Sequence, residues 1–323
     1  MMNKLLSIII ITYNQEKYIA QTLDSIIGQE HDYIYEVIIG EDCSTDETRI
    51  ILLKYKEKYP SIIKLLLNNE NMGMIKNYFN VINNCSGKYI MQCAGDDYWL
   101  PGKVASQIQY MENHSEAGMC YSKYKIINGK NKFFGVFPKK MNIEDVTFEK
   151  LMFANPIGAL TVCLRRDLVL KYIEDIDPVG KDWIGEDMPM WRWFAYNSKI
   201  YPLDKVVAVY RQLERSISHP KKFEEMERII NYRYDLRMFY SKLYNMDYLD
   251  DKIEQTRIND FVLYATKYHE YNKYKIYSQK LPQFHIGTLI RKIAGINEIL
   301  FMCYSHIFIF LSNRKQFFKL LLG

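Results

Sequence analysis

The stretch from residue 89 to residue 99 is the one around which the rest of the chain is organised. It reads Tyr89-Ile90-Met91-Gln92-Cys93-Ala94-Gly95-Asp96-Asp97-Tyr98-Trp99. An apolar, β-prone run enters a glycine, and two adjacent carboxylates follow at once. This order places acids at the carboxyl end of a strand, where open α/β sheets usually bind ligands. Asp-Asp pairs are also common in solvated turns and helix caps, so a functional reading depends on partners elsewhere in the chain.

Charge and cysteine usage narrow the range of functions. The 323 residues carry a net charge of +5 at pH 7, too small to make nucleic acid the default partner. The six cysteines show no C-x-x-C spacing, so we expect reduced thiols and neither a disulfide framework nor a zinc site. The N-terminal residues lack a signal-peptide pattern, and no apolar run reaches the ~18–20 residues that span a bilayer. We therefore expect a cytoplasmic protein.

The first hundred residues predict four strands, most of them followed by a helix. Continuous apolar runs, typical of strands buried on both faces, lie at 6–12, 35–39, 62–67 and 88–93. Helical spacing follows at 19–27 and 74–85, and the capping-box spacing of Ser44 and Glu47 predicts a helix that begins there and ends near Tyr59. This repeat predicts an α/β fold with a doubly wound, mostly parallel sheet and helices on both faces. The polar loops after the strands should meet at one edge.

The sequence lacks the usual phosphate-binding loops. There is no G-x-G-x-x-G after the first strand and no G-x-x-x-x-G-K-[ST] in the chain. If the ligand is a nucleotide, its phosphates need another counter-charge, and the paired acids indicate a divalent metal. An oxygen-only site favours Mn²⁺ or Mg²⁺.

Four motifs, in order and in register, carry a family resemblance over about residues 5–110. They are Ser7-Ile8-Ile9-Ile10-Ile11-Thr12-Tyr13-Asn14, Glu36 to Thr48, Asn71-Met72-Gly73 with Lys76-Asn77, and Gly87-Lys88-Tyr89-Ile90 leading to Gly95-Asp96-Asp97. Together they resemble the inverting glycosyltransferase family 2 of bacterial surface-polysaccharide synthesis, which has the GT-A fold.

The resemblance implies a set of residues for the nucleotide-sugar donor. Asp42 would accept the uracil N3–H, which favours a UDP-sugar, and Asp97 would be the main metal ligand. Asp96 would contact the sugar or ribose, or the metal. The spacing of the two acids departs from the family's D-x-D form, so which one ligates the metal stays open. The other implied donor-binding residues are Thr12, Tyr13, Asn14, Glu16, Asn71, Gly73 and Lys76.

The second half of the fold supplies the predicted base. Acids followed by proline at Glu186-Asp187-Met188-Pro189 are typical of an ordinary helix start. The resemblance implies a further role, with Asp187 as the catalytic base and Glu186 as the second candidate. We also expect a strand at 159–164, a hairpin turn at Asn128-Gly129 and a strand at 206–211.

The segment that follows the strand at 206–211 is basic. Arg211, Arg215 and His219 would place positive charge near the diphosphate in a family member, and His219 would be a further metal ligand. A solvated loop before a helix is the alternative.

The C-terminal region has a different character. Residues 221–280 keep helical apolar spacing. Two apolar segments near 299–311, with basic flanks, are too short to span a bilayer and predict an interfacial helix pair on an anionic membrane. The alternative is a helix docked on the catalytic domain or on a second subunit.

These observations predict a catalytic domain at 1–218, with a nucleotide-binding half at 1–110 and an acceptor half at 111–218, and a helical region at 219–323. We expect a metal-dependent, inverting transfer of a sugar from a UDP-sugar to a saccharide or polyprenyl-diphosphate-linked acceptor. Peripheral contact with the cytoplasmic membrane and a homo-oligomer remain open. The competing hypotheses are a sugar-phosphate nucleotidyltransferase and a non-catalytic, membrane-associated assembly protein that keeps the fold.

Overall fold

The structure is a computed structural model that describes residues 5–213, 220–282 and 286–321. The chain divides into two compact units, Met1–Glu214 and Arg215–Gly323. In the described residues of the first unit, one mixed sheet is surrounded by helices. Its strands are β1 (Leu6–Thr12), β2 (Tyr35–Glu41), β3 (Ile63–Leu67), β4 (Tyr89–Ala94), β5 (Tyr98–Trp99), β6 (Ala117–Asn128), β7 (Phe133–Phe137), β8 (Cys163–Arg165) and β9 (Lys199–Gln212).

The helices of the first unit mostly lie between these strands in the sequence. They are α1 (Ile19–Ile27), α2 (Thr48–Lys58), α3 (Met74–Asn83), α4 (Lys103–Asn113), α5 (Phe148–Phe153), α6 (Arg166–Ile176) and α7 (Asp187–Asn197). Short 3-10 segments lie at Ile143–Val146, Ala159–Thr161 and Pro178–Gly180.

The first four long strands form the parallel half of the sheet, in the order β3-β2-β1-β4. Ile8, Ile9 and Ile10 of β1 are at most 1% exposed, because β1 is central and both of its faces are covered. A strand in that position buries successive side chains on alternate faces, which requires an unbroken apolar run. The predicted β-α repeat is confirmed here.

The second half of the sheet is mixed. β8 pairs antiparallel with both β4 and β6, β9 runs parallel to β6, and β5 pairs antiparallel with β9. The α/β fold class is confirmed, while the mostly parallel arrangement holds for the first half alone. The hairpin predicted at Asn128 is also confirmed, since β6 and β7 pair antiparallel and Asn128 Oδ1 accepts from Lys130 N at 2.9 Å.

Two local predictions are wrong for the same reason. Ser44 does not begin a helix, because its hydroxyl accepts a hydrogen bond from Asn14 N in another loop, and α2 begins at Thr48. The strand expected at 159–164 is a 3-10 turn at Ala159–Thr161, and strand geometry is limited to Cys163–Arg165. In both places contacts from distant parts of the chain compete with a local pattern, since the Thr161 carbonyl accepts from Gln107 Nε2 of α4 at 2.6 Å.

The second unit is helical in the part that the structure describes. It contains α8 (Phe223–Leu243), α9 (Asp250–Tyr268), α10 (Tyr271–Ser278), α11 (Ile286–Ala294) and α12 (Glu298–Leu321). The apolar stripes of α8 and α9 pack together as predicted, and Phe261 of α9 stacks on Tyr277 of α10 with ring centroids 3.9 Å apart. No helix among the described residues combines the length and the apolarity that crossing a membrane requires.

Candidate active site

The loops after β1 and β2 are tied to each other by Asn14. Its backbone N–H donates to Ser44 Oγ at 3.0 Å, and its side-chain Oδ1 accepts from Thr45 N at 2.8 Å. Asn14 has a φ of +53°, a left-handed conformation that Asn tolerates better than most residues. Asn14 was predicted to hold the donor, and within the protein it links the two loops.

Glu16 forms a second link between the same loops. Its N–H donates to Asp46 Oδ2 at 3.1 Å, and its Oε2 accepts from Glu47 N at 3.0 Å. Tyr13, between these links, is 46% exposed and keeps a free ring surface at the end of β1. Two exchanges of hydrogen bonds therefore make the loops after β1 and β2 one rigid edge, with Tyr13 projecting from it.

Asp42 is the centre of the next part of this edge. It is 3% exposed. Its Oδ1 accepts from Asn68 Nδ2 and Met72 N, each at 2.9 Å, and its Oδ2 accepts from Gly73 N at 3.0 Å. Gly73 has a φ of +82°, where any side chain is strained. The structure thus brings the predicted residues Asp42, Asn71 and Gly73 together, since Asn71 Oδ1 also accepts from Gly73 N at 3.0 Å. Lys76 lies exposed in the first turn of α3.

The acidic loop after β4 fits against Thr12 and Gln15. A Cβ at Gly95 would lie 2.3 Å from Gln15 Oε1 and 2.7 Å from Thr12 Oγ1, so only glycine lets the strand end approach the β1 loop this closely. Thr12 Oγ1 donates to Gln15 Oε1 at 2.7 Å, and the Gln15 side chain in turn hydrogen-bonds Asp96. Gln15 therefore connects the β1 loop to the acidic loop.

Arg211 at the end of β9 holds the acidic loop from the other side. Its backbone N–H donates to Asp97 Oδ1 at 2.7 Å, and its Nε donates to the Asp96 carbonyl at 3.0 Å. Nη1 donates to Asn131 Oδ1 at 2.6 Å and Nη2 to Gln21 Oε1 at 2.8 Å. The residue is 3% exposed. Arg211 was predicted to place positive charge near a diphosphate; in the structure its guanidinium is buried and directed at protein acceptors beside the acidic loop.

The two acids of the loop lie in a site that disfavours their charged forms. Burial raises the pKa of Asp97 well above its usual range, and the negative charge of Asp96 adds to the effect. Burial also raises the pKa of Asp96, against the opposing charge of Arg211. The described residues contain no group of three or more His, Cys, Asp or Glu side chains that could hold a metal ion. His219, the third predicted ligand, lies outside the described residues.

The predicted base lies where α7 begins. Asp187 is the first residue of the helix, and its Oδ1 accepts from Met188 N at 2.6 Å. Burial and the charge of Asp187 raise the pKa of Glu186 to about 7. Burial raises the pKa of Asp187 as well, and the positive charge of Arg192, which is 1% exposed, works in the opposite direction. The two carboxyl groups are half-buried neighbours, so the ionisation of one affects that of the other.

Tyr124 of β6 is a further residue whose pKa is affected by acids of the candidate site. Burial raises the pKa of its phenol, and the charges of Tyr210, Asp97 and Asp187 raise it further. Coulomb effects of this kind need short distances and little intervening water. Tyr78 of α3 is likewise affected by burial and then by Glu186 and Asp187. Tyr210, whose ring centroid lies 6.1 Å from that of Tyr124, directly precedes Arg211, which places Tyr124 near the acidic loop.

Two comparisons with known proteins establish the family to which the chain belongs. Residues 7–167 match the model described as Glycosyl transferase family 2. The Escherichia coli protein named UDP-Glc:alpha-D-GlcNAc-diphosphoundecaprenol beta-1,3-glucosyltransferase WfgD is 31% identical over 229 residues, which are 69% of this chain and 83% of that protein. The chain belongs to glycosyl transferase family 2.

Other relatives of this family 2 chain are less informative about function. An uncharacterized protein of Mycobacterium tuberculosis is 31% identical over 215 residues, which are 66% of this chain and 60% of that protein. A crystal structure of S. aureus TarS 1-349 in complex with UDP matches with a TM-score of 0.58 and 20% identity, over 92% of this chain and 82% of that one. At that identity the match shows the fold, and it confirms the predicted GT-A fold class.

Three residues of the candidate site were missed from the sequence. Gln15 directly follows the first motif, and its spacing from Thr12 could have indicated a contact. Tyr124 and Arg192 carried no signal, because a tyrosine in a strand and an arginine in a helix are ordinary residues until the fold places acids beside them.

Proposed function

We propose that this family 2 protein transfers a sugar from a UDP-sugar to a hydroxyl of a saccharide acceptor, with inversion at the anomeric carbon. The observation that carries the proposal is the acidic loop at the end of β4, where Gly95 packs against Thr12 and Gln15 and the Arg211 N–H holds Asp97. This geometry supports a donor site at the loop, and Asp187 is the proposed base. The bound UDP in TarS and the UDP-Glc in the name of WfgD support the choice of donor.

The donor's base would bind at the rigid edge after β1 and β2. Asp42 is immobilised by Asn68, Met72 and Gly73, and its Oδ2 has a lone pair left for a uracil N3–H. The exposed ring of Tyr13 offers a stacking surface for the same base. Thr12, Asn14, Glu16 and Lys76 remain proposed neighbours of the nucleoside.

A divalent cation fits the acidic loop. Asp96 and Asp97 are adjacent, both have raised pKa values because they are buried, and Arg211 offsets only part of their charge. Asp97, with Asp96, would hold a Mn²⁺ or Mg²⁺ ion, and hard cations of this kind prefer carboxylate and phosphate oxygens. When bound, the ion would neutralise charge that develops on the departing diphosphate.

Asp187 would act as the general base. The acceptor oxygen attacks the anomeric carbon, the bond from that carbon to the diphosphate oxygen breaks, and its electron pair leaves with UDP. The proton of the acceptor hydroxyl passes to the Asp187 carboxylate. A single displacement of this kind needs no covalent intermediate on the protein and inverts the anomeric centre.

The decisive experiment measures UDP release and product configuration. The full chain would be incubated with UDP-glucose or UDP-GlcNAc, MnCl₂ and a short-chain α-D-GlcNAc-diphospholipid, and the product's anomeric coupling read by NMR. We expect a β-linked product from the α-linked donor and loss of turnover in Asp97→Asn. Asp204→Asn is the control, since its side chain is 72% exposed. Pyrophosphate release from UTP and a sugar phosphate would instead establish a nucleotidyltransferase, and absence of any UDP-sugar binding by calorimetry would favour an assembly protein.

The second unit supports a lipid-linked acceptor. Exposed apolar residues on and between α11 and α12 form what we call the α11–α12 surface; its members are Leu289 (56% exposed), Ile293 (44%), Ile296 (66%), Ile299 (73%) and Ile307 (61%). Arg291 and Lys292 lie in the last turn of α11. Apolar residues beside basic ones suit the interface of an anionic membrane, where an acceptor such as the diphosphoundecaprenol named for WfgD would be anchored.

Vesicle flotation tests the membrane contact. We expect the protein to float with phosphatidylglycerol vesicles and not with phosphatidylcholine ones, and the Ile296→Ser/Ile299→Ser variant to stay in solution. Ile276→Ser is the matched control, because Ile276 is 55% exposed on α10, outside the surface. If the double variant floats like the wild type, the surface does not bind lipid. If it changes the molar mass in light scattering instead, the surface joins two copies of the chain.

A further inference from the structure

The β6–β7 hairpin presents aromatic rings beside the candidate site. Tyr124 of β6 and Phe137 of β7 are register partners with ring centroids 5.6 Å apart, and Tyr210 of β9 lies edge-on to Tyr124 at 6.1 Å. Phe137 is 37% exposed. Core packing would normally cover such rings. The exposed face of Phe137 is therefore the feature that requires an explanation.

The position of the Tyr124 ring is fixed by its surroundings. A Cβ at Gly158 would lie 2.5 Å from its Cε1, which means that the ring rests directly on the backbone at that glycine. Its register partner in β9 is the small residue Ala208. A ring held between a glycine backbone and a second aromatic ring has little freedom to rotate. It is therefore preorganised for contact with a ligand.

The hydroxyl of Tyr124 has a separate role to fill. It makes no hydrogen bond to any other described residue, and it is not fully buried. Tyr210, which lies edge-on to Tyr124, directly precedes Arg211, whose backbone N–H donates to Asp97 Oδ1. An amphipathic side chain with its ring packed and its hydroxyl near the acidic loop is well suited to a ligand that has an apolar face and hydroxyl groups.

We propose that Tyr124 and Phe137 form an acceptor subsite, on which the C–H face of the acceptor's terminal sugar ring stacks while the Tyr124 hydroxyl hydrogen-bonds that sugar. This inference rests on the proposed function, because it assigns the acceptor side of the same site. The subsite would hold the acceptor sugar beside the acidic loop, to which Arg211 ties the hairpin through Asn131.

The two parts of the interaction are separable by substitution. Tyr124→Leu removes ring and hydroxyl, and we expect the acceptor KM to rise about tenfold. Phe137→Leu removes one ring face and should raise it about threefold, as an aromatic contact of ~0.5–1 kcal/mol implies. Tyr124→Phe keeps the packing and loses one hydrogen bond, with an expected rise of about fivefold. In all three variants the acceptor KM should rise more than the KM for the UDP-sugar does.

The control is Phe133→Leu on the same strand. Phe133 is 54% exposed and makes no ring contact in the described part of the chain, so its acceptor KM should equal that of the wild type. The acceptor probe is the short-chain α-D-GlcNAc-diphospholipid, and thermal unfolding checks that each variant is folded. Tyr124→Phe remains informative if Tyr124→Leu fails to fold.

The outcomes are distinct. A wild type that transfers no sugar overturns the proposed function and this inference with it. A wild type that turns over, with an unchanged acceptor KM in Tyr124→Phe and Phe137→Leu, overturns the subsite alone. An equal rise in donor KM would mean that the rings only support the acidic loop, which also overturns it.

Discussion

The proposed donor side and the proposed acceptor side of the site are built in different ways. On the donor side, side chains and backbone of neighbouring loops exchange hydrogen bonds, as Asn14 does with Ser44 and Thr45, and Asp42 with Gly73. On the acceptor side, the described contacts are aromatic faces and half-buried acids, namely Tyr124 with Phe137 and the Glu186–Asp187 pair. Hydrogen-bonded loops specify one ligand geometry, whereas aromatic faces accept several sugars. The difference suggests that the donor is recognised strictly and the acceptor more loosely.

The largest effect should come from the acceptor side. Asp187→Asn keeps the size of the side chain and removes the base, so we expect kcat to fall about 10³-fold, within the range for loss of a general base. UDP affinity by calorimetry should stay unchanged, since the donor edge is not touched. A fall in kcat below tenfold would contradict the assignment and leave Glu186 as the base.

A smaller effect should come from the residue that joins the two sides. Arg211→Lys keeps the charge but cannot reach Asp96 O, Asn131 and Gln21 together. We expect the free energy of unfolding to fall by about 2–3 kcal/mol, the cost of buried acceptors left unpaired. Urea titration measures it, with Arg291→Lys in the second unit as control. No loss of stability would mean that the two sides hold their shape independently.

The smallest effect should appear in the pH dependence of stability. The pKa of Glu186 is about 7 in the folded protein and near 4.3 in an unfolded chain. Between these values the folded state binds more protons, so its stability decreases as pH rises. Relative to Glu186→Gln, the wild type should lose about 2 kcal/mol of unfolding free energy from pH 5 to pH 7. Parallel curves for the two proteins would show that Glu186 is solvated like a surface acid.

The difference between local patterns and contacts from distant segments decides what could be predicted from the sequence. Strand β1 and the positions of Asp42 and Asp96-Asp97 followed from local patterns, because buried parallel strands impose apolar runs and polar residues at their ends. The helix start at Ser44 was misread because its partner Asn14 comes from a distant segment. The hydrogen bonds of Arg211 to Asn131 and Gln21 could not be foreseen for the same reason. Tyr124 could not be identified at all, since its significance depends on acids that the fold brings to it.

The four hydrogen bonds of Arg211 have a thermodynamic consequence. They connect α1, the acidic loop, β9 and the turn of the β6–β7 hairpin in one rigid unit. A saccharide that shifts the hairpin must therefore shift Asp96 and Asp97, and a nucleotide that orders the acidic loop must order the hairpin. By linkage, each substrate then changes the affinity of the other by the same factor. The strength of this coupling between the two substrates would depend on one buried guanidinium.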